Sequence, residues 1–282
     1  MSEAAADGPR VLRTVRDGVA TFTLNRPDTL NAMDHGPGSF QRELVDGLEA
    51  ADHDDDIRVS IVTGSGRAFS SGGQLGAAGE LHTANDWYWF LGGEDEDNER
   101  IRHLRKPTIG AINGLCFGAA LIMAAHFDIL IASDQAKIGL IETRFGGTGV
   151  DVLTYHVGPQ RAKFLCMSGE VLTAEQAKEF GLVLEVVEHA RFEERVFDLG
   201  RRIAAMPPVG VAMNRRVVNG AMDHMGWGSQ KHYALALNAV ANGDFREHAT
   251  QDGRRFSDLM KEGWKAFKDA RDAPFKTPWL GG

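Results

Sequence analysis

Two segments are rich in the small residues that let main-chain N–H groups come close to a ligand. They are residues 68–75, Ala-Phe-Ser-Ser-Gly-Gly-Gln-Leu, and 113–120, Asn-Gly-Leu-Cys-Phe-Gly-Ala-Ala. Each follows an apolar run of strand type. In the second, small residues open what reads as a helix through Ala125, and a helix start offers unpaired N–H donors and a partial positive charge. Two such loops facing each other can hold a carbonyl oxygen as it becomes an oxyanion. Singly, each also reads as an ordinary turn at a strand end. Neither fits the phosphate-binding patterns GxxxxGK[ST] or GxGxxG, and no His, Cys, Asp or Glu cluster has metal-ligand spacing. Taken alone, Glu142 is a charge at a strand end and Asp151 a helix N-cap.

The elements that must position these loops alternate between strand and helix. Residues 11–24 read as two strands around Asp17-Gly18, a dipeptide suited to a tight hairpin turn. Ser39 is placed to cap a helix with Phe40, Leu44, Leu48 and Ala51 on one face. Strand runs follow at 59–63, 107–112, 127–132 and 137–140. Thr173 and Gln176 are spaced as a capping box, and Gly181 as a helix stop. This alternation predicts an α/β fold. Beyond Pro207-Pro208 the strand signal disappears, and the chain reads as helical with breaks at 226–228 and 242–244. Residues 76–98, with Trp87, Tyr88, Trp89 and Phe90 beside a Gly-Gly-acidic stretch, read as a long functional loop or an irregular helix. That aromatic run suits either one wall of an acyl pocket or a core or subunit-contact cluster.

The 282 residues are 43% hydrophobic and 25% charged, enough to bury a sizeable core. Thirty-one basic against thirty-nine acidic side chains leave a formal charge of -8, the wrong balance for a sequence-independent nucleic-acid binder. Cys116 and Cys166 both lie in apolar stretches, so a disulfide framework is not expected. The start carries no signal pattern and no apolar run approaches a membrane span, which predicts a soluble cytoplasmic protein. His126 and Cys116 match no catalytic role, and His156 reads as a packing or surface residue.

In order and spacing, several motifs together resemble the enoyl-CoA hydratase/isomerase (crotonase) superfamily. They are Leu24-Asn25-Arg26-Pro27 with Leu30-Asn31-Ala32, residues 66–75, Lys106-Pro107-Thr108-Ile109 with Asn113-Gly114 and Gly118-Ala119-Ala120, and Phe127-Asp128-Ile129 with Ala132-Ser133. The likeness continues through residues 173–183 and the closing Glu262-Gly263-Trp264-Lys265-Ala266-Phe267. The resemblance implies a crotonase-like ββα spiral over residues 1–206, carrying an acyl-CoA site, and a C-terminal helical oligomerisation region over 207–282. It also implies homotrimers, often paired into hexamers. The implied substrate is an acyl-CoA thioester, with coenzyme A entering as part of it and no cofactor permanently bound. Neither a nucleic-acid nor a membrane partner is expected.

Carried over position by position, the resemblance places the oxyanion donors on the N–H groups of Gly73 and Ala119. Ala68, Ser70, Gly72, Gln74 and Leu75 fall along the CoA path, where Gln74 replaces a common Asp. Thr29 stands where a basic residue is often found, so Arg271 and Lys276 in the tail become the candidates for the CoA phosphates. Hydratases of the family use two glutamates; one of those positions is Ile122 here, and the other is Glu142 in Ile138-Gly139-Leu140-Ile141-Glu142. Asp151 matches a position that is Asp in some members cleaving C–C bonds between carbonyls, which makes it a possible second acid/base. A single glutamate suits isomerisation, and the pattern also occurs in hydroxycinnamoyl-CoA hydratase-lyases. Hydration, isomerisation, hydratase-lyase chemistry and retro-Claisen hydrolysis share an enolate next to a carbonyl. A non-catalytic binding protein of the same fold is the alternative of a different class; the basic stretch 100–106 keeps RNA open for it.

Overall fold

In a computed structural model, which describes residues 8–34, 38–74, 81–148 and 152–280, strands and helices alternate as the sequence leads one to expect. The chain opens with β1 (Val11–Arg16), β2 (Val19–Leu24), α1 (Phe40–His53), β3 (Val59–Gly64) and β4 (Ala68–Ser70). It continues through α2 (Ala84–His103), β5 (Thr108–Ile112), β6 (Leu115–Phe117), α3 (Ala119–Ala124), β7 (Ile129–Ser133) and β8 (Lys137–Gly139). Then come α4 (Leu153–Val157), α5 (Pro159–Ser168), β9 (Val171–Thr173), α6 (Ala174–Phe180), β10 (Glu185–Val187) and α7 (Phe192–Ala204). The helical tail is α8 (Pro208–His224), α9 (Trp227–Gly243), α10 (Phe256–Glu262) and α11 (Trp264–Asp272).

The strands sort into two sheets. One runs β1-β2-β3-β5-β7-β10, parallel except for the opening hairpin, whose turn residues Asp17 and Gly18 both take positive φ. The other runs β4-β6-β8-β9 and is made of three-residue strands, too short to show a period of their own in the sequence. Successive turns of chain contribute one strand to each sheet. The main core, which includes Phe22, Phe40, Leu44, Leu48, Phe69, Met123 and Leu140, fills the space beside them. Burying each such side chain contributes roughly 1.5–3 kcal/mol.

The predicted helix punctuation is present. Ser39 Oγ accepts from Arg42 N, Thr173 and Gln176 form a reciprocal capping box, and Gly181 ends α6 in the left-handed conformation. Of the two readings of the stretch containing the aromatic run, loop or irregular helix, the structure gives helix, and a regular one: from Ala84 it is the twenty-residue α2, started by a second capping box between Thr83 and Asp86. Its acidic, glycine-containing middle hides the apolar stripe, because α2 is packed on α1 and α9 and buries polar residues as well. In the tail, Trp227, Phe245, Phe256 and Phe267 are buried within the chain itself, and Tyr233 and Trp264 remain exposed. Phe245, Phe256, Leu259 and Phe267 form a separate small core against Phe145. Among the described residues no helix is long and apolar enough to cross a membrane.

Candidate active site

Parallel pairing brings the functional loops together. β4 pairs with β6, and β6 with β8, all parallel, so the C-terminal ends of three neighbouring strands open on the same side. Ligand sites in open α/β sheets gather at such ends. From β4 the chain enters Ser71-Gly72-Gly73, from β6 it enters Gly118-Ala119, and from β8 it reaches Glu142 at the start of a 3-10 turn.

Each loop is pinned by its neighbours. Asn31, fully buried, donates from Nδ2 to the carbonyls of Ser65 and Ala68 and accepts on Oδ1 from Arg26 N. Ser71 N donates to Leu30 O, Met33 N to Gly72 O, and Gln74 N to Met33 O at 2.6 Å. Those bonds leave the N–H of Gly73 facing away from its partner strand. Gly118 N donates to Gly139 O, which ties the second loop to β8. A β-carbon on Gly72, whose φ is +92°, would strike Phe117 O and come within 3.4 Å of Ala119 N. The two loops are therefore in contact, Gly72 against the main chain of Phe117 and Ala119. Among the described residues neither Gly73 N–H nor Ala119 N–H has a hydrogen-bond acceptor, as an oxyanion hole requires.

Two connected spaces meet here. A long groove of about 840 Å³ is lined by Thr29, Gln74, Phe117, Trp264, Arg271 and Lys276, among others. A chamber of about 130 Å³ lies beyond the oxyanion loops, with Trp87, Phe90, Ile122 and Phe145 on its apolar walls. Ser71, Gly73, Gln74, Ile141 and Phe145 border both spaces. The chamber's carboxyl groups, among the described residues, are Glu142 and Glu94.

Glu142 lines the chamber, next in the chain to Ile141, which borders both spaces. Its residue surface is partly exposed, yet Oε2 is wholly buried and has no hydrogen-bond partner among the described residues. Burial pushes its carboxyl up to about 8; the Glu94 carboxylate adds to the shift, and its own backbone N–H and Arg271 oppose it. A carboxyl that gains and loses its proton near neutral pH is suited to general acid–base work.

The other sequence-derived residues divide. Gly72 lines the chamber, and Gln74 lines both the chamber and the groove. Ala68 and Ser70 are corrections: both side chains are buried inside β4, at 1% and 0% exposure, and Ser70 Oγ serves to accept from Gly72 N. Neither lines the groove, whose surface on this loop begins at Ser71. Asp151 and Leu75 lie outside the described residues. Arg271 is buried, paired with Asp272 at 2.6 Å and stacked 4.0 Å over Phe145, with Nη1 left without a partner among the described residues. Lys276 is exposed at the groove. His126 Nδ1 donates to Ile122 O and burial holds this imidazole down to about 4, and His156 Nε2 donates to Ala125 O, so both rings are tied to the main chain of the core. Among the described residues no group of three or more His, Cys, Asp or Glu side chains is arranged to hold a metal.

Sequence reasoning did not find Glu94, Lys268, Asn238 or Asn242 as site residues. Glu94 alone had a signal. It follows Trp87, Phe90 and Leu91 at helical spacing, i, i+3, i+4, i+7, which is visible once the segment is read as a helix.

A parallel-stranded fold with paired N–H donors at the strand ends beside a buried acid is that of the crotonase-like acyl-CoA enzymes. The chain belongs to the enoyl-CoA hydratase/isomerase family, whose sequence profile matches residues 14–278. It is 31% identical over 223 residues to 1,2-epoxyphenylacetyl-CoA isomerase of Escherichia coli, covering 75% of this chain and 82% of the relative. To hydroxycinnamoyl-CoA hydratase-lyase of Pseudomonas fluorescens it is 31% identical over 212 residues, 69% of this chain and 72% of the relative. The crystal structure of an enoyl-CoA hydratase/isomerase from Xanthobacter autotrophicus Py2 superposes with a TM-score of 0.85 at 30% identity, covering 95% of this chain and 99% of that one.

Proposed function

We propose that the protein binds an acyl-CoA thioester with its carbonyl oxygen between the N–H groups of Gly73 and Ala119, and that Glu142 moves the proton at the α carbon of the resulting enolate. The observation that carries this reading is the position of Glu142. Its buried carboxyl adjoins Gly118, the residue before one of the two donors. Charge developing on the thioester oxygen is stabilised by the two donors, and a hundredfold or more in rate typically follows from one such donor. The reaction is then hydration or double-bond isomerisation of an enoyl-CoA.

The groove suits the CoA portion, with Lys268, Arg271 and Lys276 along it to meet phosphate oxygens. The acyl chamber is close to the size of a cavity that holds one benzene, roughly 150 Å³, against about 130 Å³ here. A short or monocyclic acyl group fits it. Glu142→Gln keeps the shape and removes the proton acceptor. It should lower turnover on a panel of CoA thioesters by about a hundredfold or more with little change in CoA affinity. Full activity in that variant refutes the mechanism.

A further inference from the structure

The acyl chamber holds a second carboxyl group besides that of Glu142. Trp87, Phe90, Leu91 and Glu94 all line it, one stripe of α2 turned toward the substrate space. The first three are the apolar wall. The fourth is a glutamate, only 6% exposed. Buried ionisable groups that border a pocket cluster at functional positions. On the α3 side the chamber is closed by Ile122, which carries no proton. The amides of Asn238 and Asn242, bonded to each other at 2.7 Å, line the same chamber and add the polar partners that an enclosed water needs. Glu94 and Glu142 line the same chamber, and the Glu94 carboxylate raises the proton affinity of Glu142.

We propose that Glu94 is the second carboxylate of the reaction and that the reaction is hydration of a short enoyl-CoA, an inference that rests on the role given to Glu142. Glu94 takes a proton from a water in the chamber as that oxygen bonds to the β carbon. The α,β double-bond electrons pass to the thioester oxygen, held by the N–H groups of Gly73 and Ala119. The enolate then collapses as its α carbon takes the proton of Glu142. The net change is one water added. Glu94 is left protonated and Glu142 ionised, and proton exchange through water restores the pair.

The experiment uses the full chain with two probes. Crotonyl-CoA reports hydration, and butyryl-CoA in D2O reports exchange of the α hydrogen, both read by mass spectrometry. Wild type should do both. Glu94→Gln should lose hydration by about a hundredfold or more, while exchange, which needs Glu142 and the oxyanion hole, falls by less than about tenfold. Glu94→Asp, retaining a carboxylate, should recover part of the hydration, and stabilisation of each variant by CoA shows that it is folded. Glu142→Gln should lose both activities. Hydration by folded Glu94→Gln within a few-fold of wild type overturns the role of Glu94 and leaves that of Glu142 standing, as does a wild type that exchanges without hydrating. A wild type that does neither overturns both.

Discussion

The carboxyl of Glu142 is packed against the α carbon of Gly118, so closely that a β-carbon there would run into Oε1. Gly118 has φ +57° and ψ -128°, a conformation that L side chains rarely adopt, and it immediately precedes Ala119, the proposed donor. One residue thus has to be glycine for two reasons, backbone conformation and room for the acid.

Gly118→Ala should therefore abolish turnover, by about a hundredfold or more, and destabilise the fold by roughly 1–3 kcal/mol. Gly93→Ala is the control. Gly93 sits inside α2 with open space around its α carbon, and alanine there should stabilise by about 0.5–1 kcal/mol. Chemical denaturation of the two variants checks the contrast, and equal effects would remove the argument from Gly118.

The raised proton affinity of Glu142 fixes two pH dependences of opposite sign. Removal of an α hydrogen needs the ionised carboxylate, so the pH profile of that exchange should climb up to about 8 and then level. Hydration draws on the protonated form and should decline above the same point. The charged groups acting on Glu142 are Glu94, which raises this midpoint, and Arg271, which lowers it. Glu94→Gln should move the exchange profile toward lower pH.

The same group has a stability signature. Its folded-state midpoint of about 8 lies above the ordinary 4.5, so its stabilising contribution is complete below 4.5 and is lost as pH rises through 8. Glu142→Gln should gain on wild type between pH 5 and pH 9, by an amount on the order of a few kcal/mol. Thermal unfolding at the two pH values measures the gain; a constant difference would contradict the burial of an ionisable group.

Lys276 is exposed, and its removal should weaken CoA binding only a few-fold, as solvent-facing ion pairs do. Arg271 is buried with one guanidinium nitrogen unsatisfied among the described residues, and Arg271→Ala should cost about tenfold or more. Titration of CoA at low and high salt separates these cases. Unchanged affinity in both variants would exclude the tail as the phosphate site.

Val209, Met213 and Val217 repeat at i, i+4, i+8 along α8 and are exposed, Val209 and Val217 by 72% each. Such a stripe on one helix face calls for a covering surface. A homotrimer or a pair of trimers is the expected state, and Met213→Lys with Val217→Lys should dissociate it in sedimentation. A wild-type monomer at micromolar concentration would contradict it.

The amino-acid sequence by itself determined the alternation of strands and helices, the hairpin at Asp17-Gly18, the caps at Ser39 and Thr173, and the stop at Gly181. These are local matters of period, turn chemistry and backbone conformation, which neighbouring residues decide. Gly73, Ala119 and Glu142 were also legible, through motifs in a family order. Only the tertiary structure decided the second sheet, because its three-residue strands gain their pairing from partners distant in the chain. It also decided that Ala68 and Ser70 point into the core and that Arg271 is a buried cation. Glu94 belongs to the same class. Its helix has polar residues on its buried side, and nothing in the local pattern shows that this face of α2 shares a chamber with Gly73 and Ala119. Which face of a helix meets a site is set by packing between elements far apart in sequence, and that packing exists only in the folded chain.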